Sequence, residues 1–230
     1  MKKKYLIGMA CGIMILGMAR MTLAGLIVDG TVSYAGAERN LIYDNDLNIT
    51  WLDYSNGMQN WSNQNAWADG LSFTINGEVY DDWRLPKTFD DSNAYFDQNP
   101  PSLFNGQYTR GYNNTTSELG HLYYSELGNN GRADKEGNYR LTDWGLQTSG
   151  PFQNLSAFQY YSSTSIASFS PYAWVFLMDC GYQSWGDKVF DRLGIAVLDG
   201  RISQPVPEPA TMLLMGTGLA GFVGVRRKKK

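Results

Sequence analysis

Asp82-Trp83-Arg84-Leu85-Pro86 is the block on which the fold reading of this 230-residue chain turns. Trp83 is sized to fill a core. Arg84 carries a planar fork of donors that suits a carboxylate or backbone carbonyls. Pro86 lacks an N–H and ends a strand, and Thr88-Phe89-Asp90-Asp91 then offers a helix start. The block reads first as scaffold, with direct ligand contact by Trp83, Arg84, Leu85 and Pro86 as the alternative.

The surrounding sequence alternates strand and turn signals. Residues 25–40 are small and polar and read as an entry strand or an N-terminal arm. Leu41 to Leu52 reads as strand, turn, strand, with Asp44-Asn45-Asp46 in the turn and Ile49 and Trp51 alternating into a core. Asn60 to Leu71 has helical spacing through Trp61, Ala66, Trp67 and Leu71. Phe73 to Tyr80 reads as a hairpin around Asn76-Gly77. Thr115-Thr116-Ser117-Glu118 matches a capping box with Thr115 as N-cap, followed by Leu119, Leu122, Tyr123 and Leu127 on one face and Gly128 at the end. Asn129 to Tyr139 reads as a surface loop. Ala157–Ser162, Ala173–Asp179 and Gly194–Leu198 read as strands. The expected class is α+β, a single compact domain with a twisted, mostly antiparallel sheet.

Both ends of the chain carry export signals. Met1-Lys2-Lys3-Lys4 is a positive n-region, Tyr5 to Met18 is apolar, and Thr22-Leu23-Ala24 is a small-residue cleavage site. Residues 1–24 therefore read as a secretory signal peptide, with Gly25 the first mature residue. At the other end, residues 204–211 form a stiff linker containing Pro207-Glu208-Pro209. Residues 212–225 are apolar, and 226–230 are Arg-Arg-Lys-Lys-Lys. Counted from Ala210, the apolar helix would span roughly 24 Å, against a bilayer core of about 30 Å. Arg226 and Lys228 can snorkel to make up the deficit. The basic end should stay cytoplasmic, leaving the body outside.

Removing the ends uncovers a different charge balance. They hold nine of the 19 cations and one of the 22 acids, so the body keeps ten against 21, a net charge of −11. Nucleic-acid binding needs a basic footprint, and this body is acidic. Cys180 is its one cysteine, so no internal disulfide is possible. His121 is the only histidine of the chain, which excludes His-rich metal sites.

The order Val206-Pro207-Glu208-Pro209-Ala210-Thr211, apolar helix, basic end resembles the PEP-CTERM sorting signal. The resemblance implies a Gram-negative exporter and recognition of Pro207, Glu208 and Pro209 by an exosortase-type membrane protease, with the tail removed. It also implies an association with exopolysaccharide and biofilm matrix. The Trp83 block, with Leu47-Asn48-Ile49-Thr50-Trp51 and Tyr160-Tyr161-Ser162-Ser163-Thr164, resembles the Lcl C-terminal-like domain. That family is distantly similar to the C-type lectin and formylglycine-generating-enzyme folds. The resemblance implies one such domain over residues 41–203. Two departures stand out. The family usually has Trp where Tyr161 stands, and its last strand ends Ala-Val-Arg-Pro-Gly where this chain has Ala196-Val197-Leu198-Asp199-Gly200. A role for that arginine does not transfer.

The chemistry-bearing residues point away from catalysis. Formylglycine-generating enzymes use a pair of thiols for copper, and Cys180 alone cannot supply one; it reads as an inert core thiol in a strand. Asp44, Asp46 and Asn48 alternate as calcium ligands do. However, Ile49 replaces the loop glycine and Ser55 the twelfth-position Glu, so an Asx turn is the preferred reading. Asp81-Asp82 and Asp90-Asp91 flank the Trp83 block, and their separation in space decides whether they could serve glycan hydrolysis. The expectation is no catalytic residues, no cofactor, and a body that binds polysaccharide or another surface component. The alternatives are a structural, self-associating matrix protein and a glycan- or protein-modifying enzyme.

Overall fold

Leu41-Ile42 and Trp51-Leu52 are adjacent apolar pairs, and side chains alternate across a strand, so both faces of these strands must be buried. The computed structural model, which describes residues 25–89, 110–167 and 169–202, shows this arrangement. Ile42, Trp51 and Val197 join one core with Leu119, Leu122, Tyr123 and Phe176. Leu41, Leu52 and Leu198 join a second core with Trp83, Leu85, Tyr161 and Val175. Ile49 and Trp51 alternate into the first core as expected, and Thr50 and Leu52 on the opposite face are buried as well.

The described residues form one sheet-rich body with few helices. The elements in chain order are β1 (Leu26–Tyr34), β2 (Ala37–Asp44), β3 (Ile49–Leu52), β4 (Asn56–Gln59), α1 (Trp61–Asp69), β5 (Phe73–Ile75), β6 (Glu78–Tyr80) and β7 (Trp83–Arg84). Then follow α2 (Glu118–His121), a π-helical turn (Leu122–Glu126), β8 (Gln159–Ser165), β9 (Tyr172–Leu177), β10 (Tyr182–Asp187), β11 (Arg192–Gly194) and β12 (Val197–Asp199). One five-stranded sheet runs β1-β2-β3-β12-β7, another β10-β9-β8-β11-β4, and β5-β6 stand apart as a hairpin. All pairings between these strands are antiparallel except β11 with β8. Among the described residues, no helix is long and apolar enough to cross a membrane. The segments 1–24, 204–211, 212–225 and 226–230, and the proposed helix start at Asp90-Asp91, lie outside the described residues.

Local sequence sets several of these elements. Asn60 caps α1, its side chain accepting from Asn63 N–H at 2.9 Å. The buried face of α1 carries Gln64 and Ala68, not the Ala66 expected from spacing, which is exposed. Gln64 is fully buried and fully used. It accepts from Asn56 and donates to the Gly57 and Arg192 carbonyls, tying α1 to β4 and β11. Asn76 and Gly77 both have positive φ, +55° and +85°, as a two-residue hairpin turn demands.

Other expectations are corrected. Residues 25–40 take the strand alternative and not the arm. β1 and β2 make a long antiparallel hairpin that turns at Ala35-Gly36, both at positive φ. The N-cap of α2 is Ser117, which accepts from Gly120 N–H at 3.0 Å; Thr115 lies two residues outside. Asn129 and Ala133 are buried, so 129–139 is not wholly a surface loop. Cys180 lies in the turn between β9 and β10 rather than in a strand. The expected last strand divides into β11 and β12, which belong to different sheets, with buried Ile195 and Ala196 between them.

Candidate functional site

The Trp83 block sits where the two large sheets meet. Trp83 pairs in register with Leu198 of β12 and is 2% exposed. Beyond it, the Pro86 carbonyl accepts from Ser163 N–H of β8 at 2.8 Å, and Thr88 N–H donates to Thr164 Oγ1 at 3.0 Å. Arg84 grips Glu118 with both terminal nitrogens, each at 2.8 Å, and also pairs with Asp199. Glu118 further accepts from Lys87 N–H at 2.7 Å. Burial works against the Arg84 charge, but hydrogen bonds and attraction from Glu118 and Asp199 outweigh it and raise its pKa. The block is thus a clamp joining β7, β12 and α2. Asp199, at the end of β12, serves Arg84. Replacing Arg84 by Leu would strand Glu118, whose side chain is 15% exposed, and should cost about 3 kcal/mol in urea unfolding. A loss under 1 kcal/mol would show that the clamp carries little stability.

Tyr161 of β8 lies in the second core, fully buried. Its hydroxyl lies 2.7 and 2.8 Å from the Asp187 and Phe190 carbonyls, which share its single proton, and accepts from Arg192 Nη1 at 2.7 Å. An indole has one donor and no acceptor at that reach.

A second cluster was not legible in sequence. Asp44, His121 and Glu126 bring ligand atoms within 4.8 Å of one another. Asp44 is wholly buried. Its Oδ1 accepts from Asp46 and Leu47 N–H at 3.2 and 3.0 Å, and its Oδ2 faces the Trp51 indole at 3.4 Å. His121 Nε2 lies 3.1 Å from Glu126 Oε1, while Glu126 Oε2 is buried without a hydrogen-bond partner. Burial, with Asp44 adding repulsion, pushes the Glu126 carboxyl up to about 7, although His121 works in the opposite direction. One imidazole and two carboxylates form a donor set a divalent ion could use, but both Asp44 oxygens already accept hydrogen bonds. Of the three residues weighed as calcium ligands, Asp44 faces the interior while Asp46 and Asn48 are exposed. Asn48 Oδ1 accepts from the Tyr43 hydroxyl at 2.9 Å.

The π-helical turn creates this cluster. Residues five apart, such as His121 and Glu126, lie about 140° apart around an α-helix. An i→i+5 turn brings them to one side, and the Leu127 N–H to Leu122 carbonyl bond of 2.9 Å marks that turn.

On the surface, Val79, Tyr80, Asp81, Asp82, Leu198, Asp199 and Arg201 line an open cleft of about 360 Å³. It gathers three carboxylates, a guanidinium and a phenol ring. Arg201 is held by Asp29 at 2.6 and 2.7 Å and lies over the Tyr43 ring. Asp90 and Asp91 lie outside the described residues. Burial pushes the Cys180 thiol up to about 11, with Asp179 adding to the shift, so the thiolate form is disfavoured.

Pro207, Glu208 and Pro209 also lie outside the described residues, so comparison with known proteins carries the reading there. No curated protein and no solved structure matches the chain. The lectin-like relationship of residues 41–203 therefore has no support beyond the residues quoted for it. The model of the PEP-CTERM protein-sorting motif matches residues 205–228, and that motif implies an exported surface protein, anchored in the membrane before exosortase processes it.

Proposed function

We propose that the signal peptide and the sorting tail deliver a non-catalytic binding body to the cell surface or extracellular matrix. The observation that carries the reading is the sorting motif at 205–228. In this reading, residues 1–24 direct export, 212–225 hold the chain in the membrane, and the protease acts near Pro207-Glu208-Pro209.

The body binds polysaccharide, and the cleft at Tyr80, Asp81, Asp82 and Asp199 is the place for it. Carboxylates accept from sugar hydroxyls, and a ring edge gives an apolar surface for a sugar face. Exposed Phe89, Phe158 and Phe190 offer further stacking surfaces. The net charge of −11 favours a neutral or cationic glycan over an acidic one. Titrating the host's own exopolysaccharide against the protein should give saturable binding, weakened at least about tenfold by Asp82→Ala with Tyr80→Ala, about 1.4 kcal/mol. Saturable binding untouched by these changes would move the site elsewhere. Absence of binding at millimolar sugar would favour a structural, self-associating role, and hydrolysis of the glycan would favour an enzyme.

A further inference from the structure

The buried Glu126 cluster abuts Gly25, the residue at which the signal peptide is read to end. A Cβ placed on Gly25 would lie 2.7 Å from both Glu126 carboxylate oxygens and 2.8 Å from Asn45 Oδ1. Its own nitrogen, one covalent bond from Cα, therefore lies within about 5 Å of the carboxylate. The position is fixed on both sides. The Gly25 carbonyl accepts from Asn45 N–H at 3.0 Å, and the next residue, Leu26, pairs in register with Asp44.

We propose that Glu126 and Asn45, with the negative charge of Asp44 beside them, form a receptor for the chain's own α-ammonium group, which is created when cleavage after Ala24 leaves Gly25 as the first residue. The proposal rests on the signal-peptide reading above.

Three observations support it. Glu126 Oε2 is buried and without a partner, and a carboxylate with a 1%-exposed side chain calls for a cation. Among the described residues its only ion-pairing partner is His121, at the other oxygen. Gly25 sits at φ +69°, and a Cβ there would meet both Glu126 oxygens, so the bare Cα of a glycine lies directly against the carboxylate. In the precursor, the Gly25 nitrogen is a neutral amide. After cleavage it carries a positive charge and three donors, beside Glu126 and Asp44. The raised pKa of Glu126 in the uncleaved geometry is consistent with a carboxylate short of a cation. A divalent ion is the poorer occupant, since Asp44 is committed to Asp46, Leu47 and Trp51. Cleavage of the signal peptide thus completes the core, locking β1 to the π-helical turn.

The test uses the full chain exported by its host. Mass spectrometry identifies the first residue, and a pulse of an amine-acylating reagent at neutral pH is read on the N-terminal peptide Gly25–Arg39. Acylation of Gly25 should be at least about tenfold slower in the folded protein than in urea. Glu126→Gln should restore most of the rate. An alanine inserted between Ala24 and Gly25 moves the amine by about 3.5 Å and should restore it too. An amine at Gly25 that reacts equally fast folded and unfolded overturns the proposal, as does protection unchanged by both alterations. A first residue other than Gly25 overturns the signal-peptide reading instead.

Discussion

Trp83→Ala should remove about 3–5 kcal/mol of stability, a third or more of what a domain of this size commonly holds. Trp83 is 2% exposed and packs edge-on to Phe73, with ring centres 5.5 Å apart and planes at 89°. Its indole N–H donates to the Tyr80 carbonyl at 3.1 Å, and its backbone joins β7 to β12. Truncation leaves a cavity in the core that Trp83 shares with Leu52, Leu71, Leu85 and Leu198, while the neighbouring β12 is held by its own pairing with β3. Urea unfolding followed by tryptophan fluorescence measures the loss. Trp83→Phe keeps the ring and forfeits the hydrogen bond, so it should cost about 1–2 kcal/mol. Equal losses for the two variants would mean that the indole donor, rather than the packing, dominates.

The stability of this block and the delivery of the protein are separate matters. A Trp83 variant should still reach the membrane, because its address lies in residues 205–228. Loss of the body through proteolysis would follow export and not prevent it.

Short-range signals in the sequence hold where neighbours decide the outcome. Asn76-Gly77 needs two positive φ values in a two-residue turn, and those residue types supply them. Asn60 caps α1 through its own side chain. Such signals give way where distant partners win. Glu118 has the spacing for the return half of a capping box, but Arg84 and Lys87 claim its carboxylate, and the cap is Ser117. Asn114 accepts from Thr116 and so turns the chain just before that cap. Ala35-Gly36 was a turn signal in plain sight, hidden by the polarity of the strands beside it. One of those strands keeps Val32 buried and leaves Thr31 and Ser33 exposed.

Of the candidate sites, the Trp83 block was visible because its residue types have specific jobs. Its role as a clamp needed Glu118 and Asp199, which lie 34 and 115 positions from Arg84. The Asp44–His121–Glu126 cluster could not be found from a 3.6-residue period, because it depends on a π-helical turn. A buried carboxylate five residues after the only histidine is a signal only once that turn is known.

The second large effect concerns the tail. Pro207-Glu208-Pro209 changed to three alanines should abolish processing. Pro207 and Pro209 lack an N–H and have a fixed φ, properties that the alanines would remove. Glu208 is the only acid of the tail, placed before a segment without charge and a terminus of five cations. That helix would span roughly 24 Å, short of a bilayer core of about 30 Å, which suits a transient stop better than a permanent span. Without the motif, the chain should be exported and then remain in the membrane with its tail. The processed form should fall at least about tenfold, equivalent to about 1.4 kcal/mol in the recognition step.

The most direct measurement is the intact mass of the protein recovered from membrane and surface fractions of the native host, for the natural chain and for the triple-alanine variant. The natural chain should begin at Gly25 and end near Pro207-Glu208-Pro209, without the basic terminus at 226–230. The variant should keep that terminus and stay in the membrane fraction. The same tailless mass from both chains would contradict the sorting account.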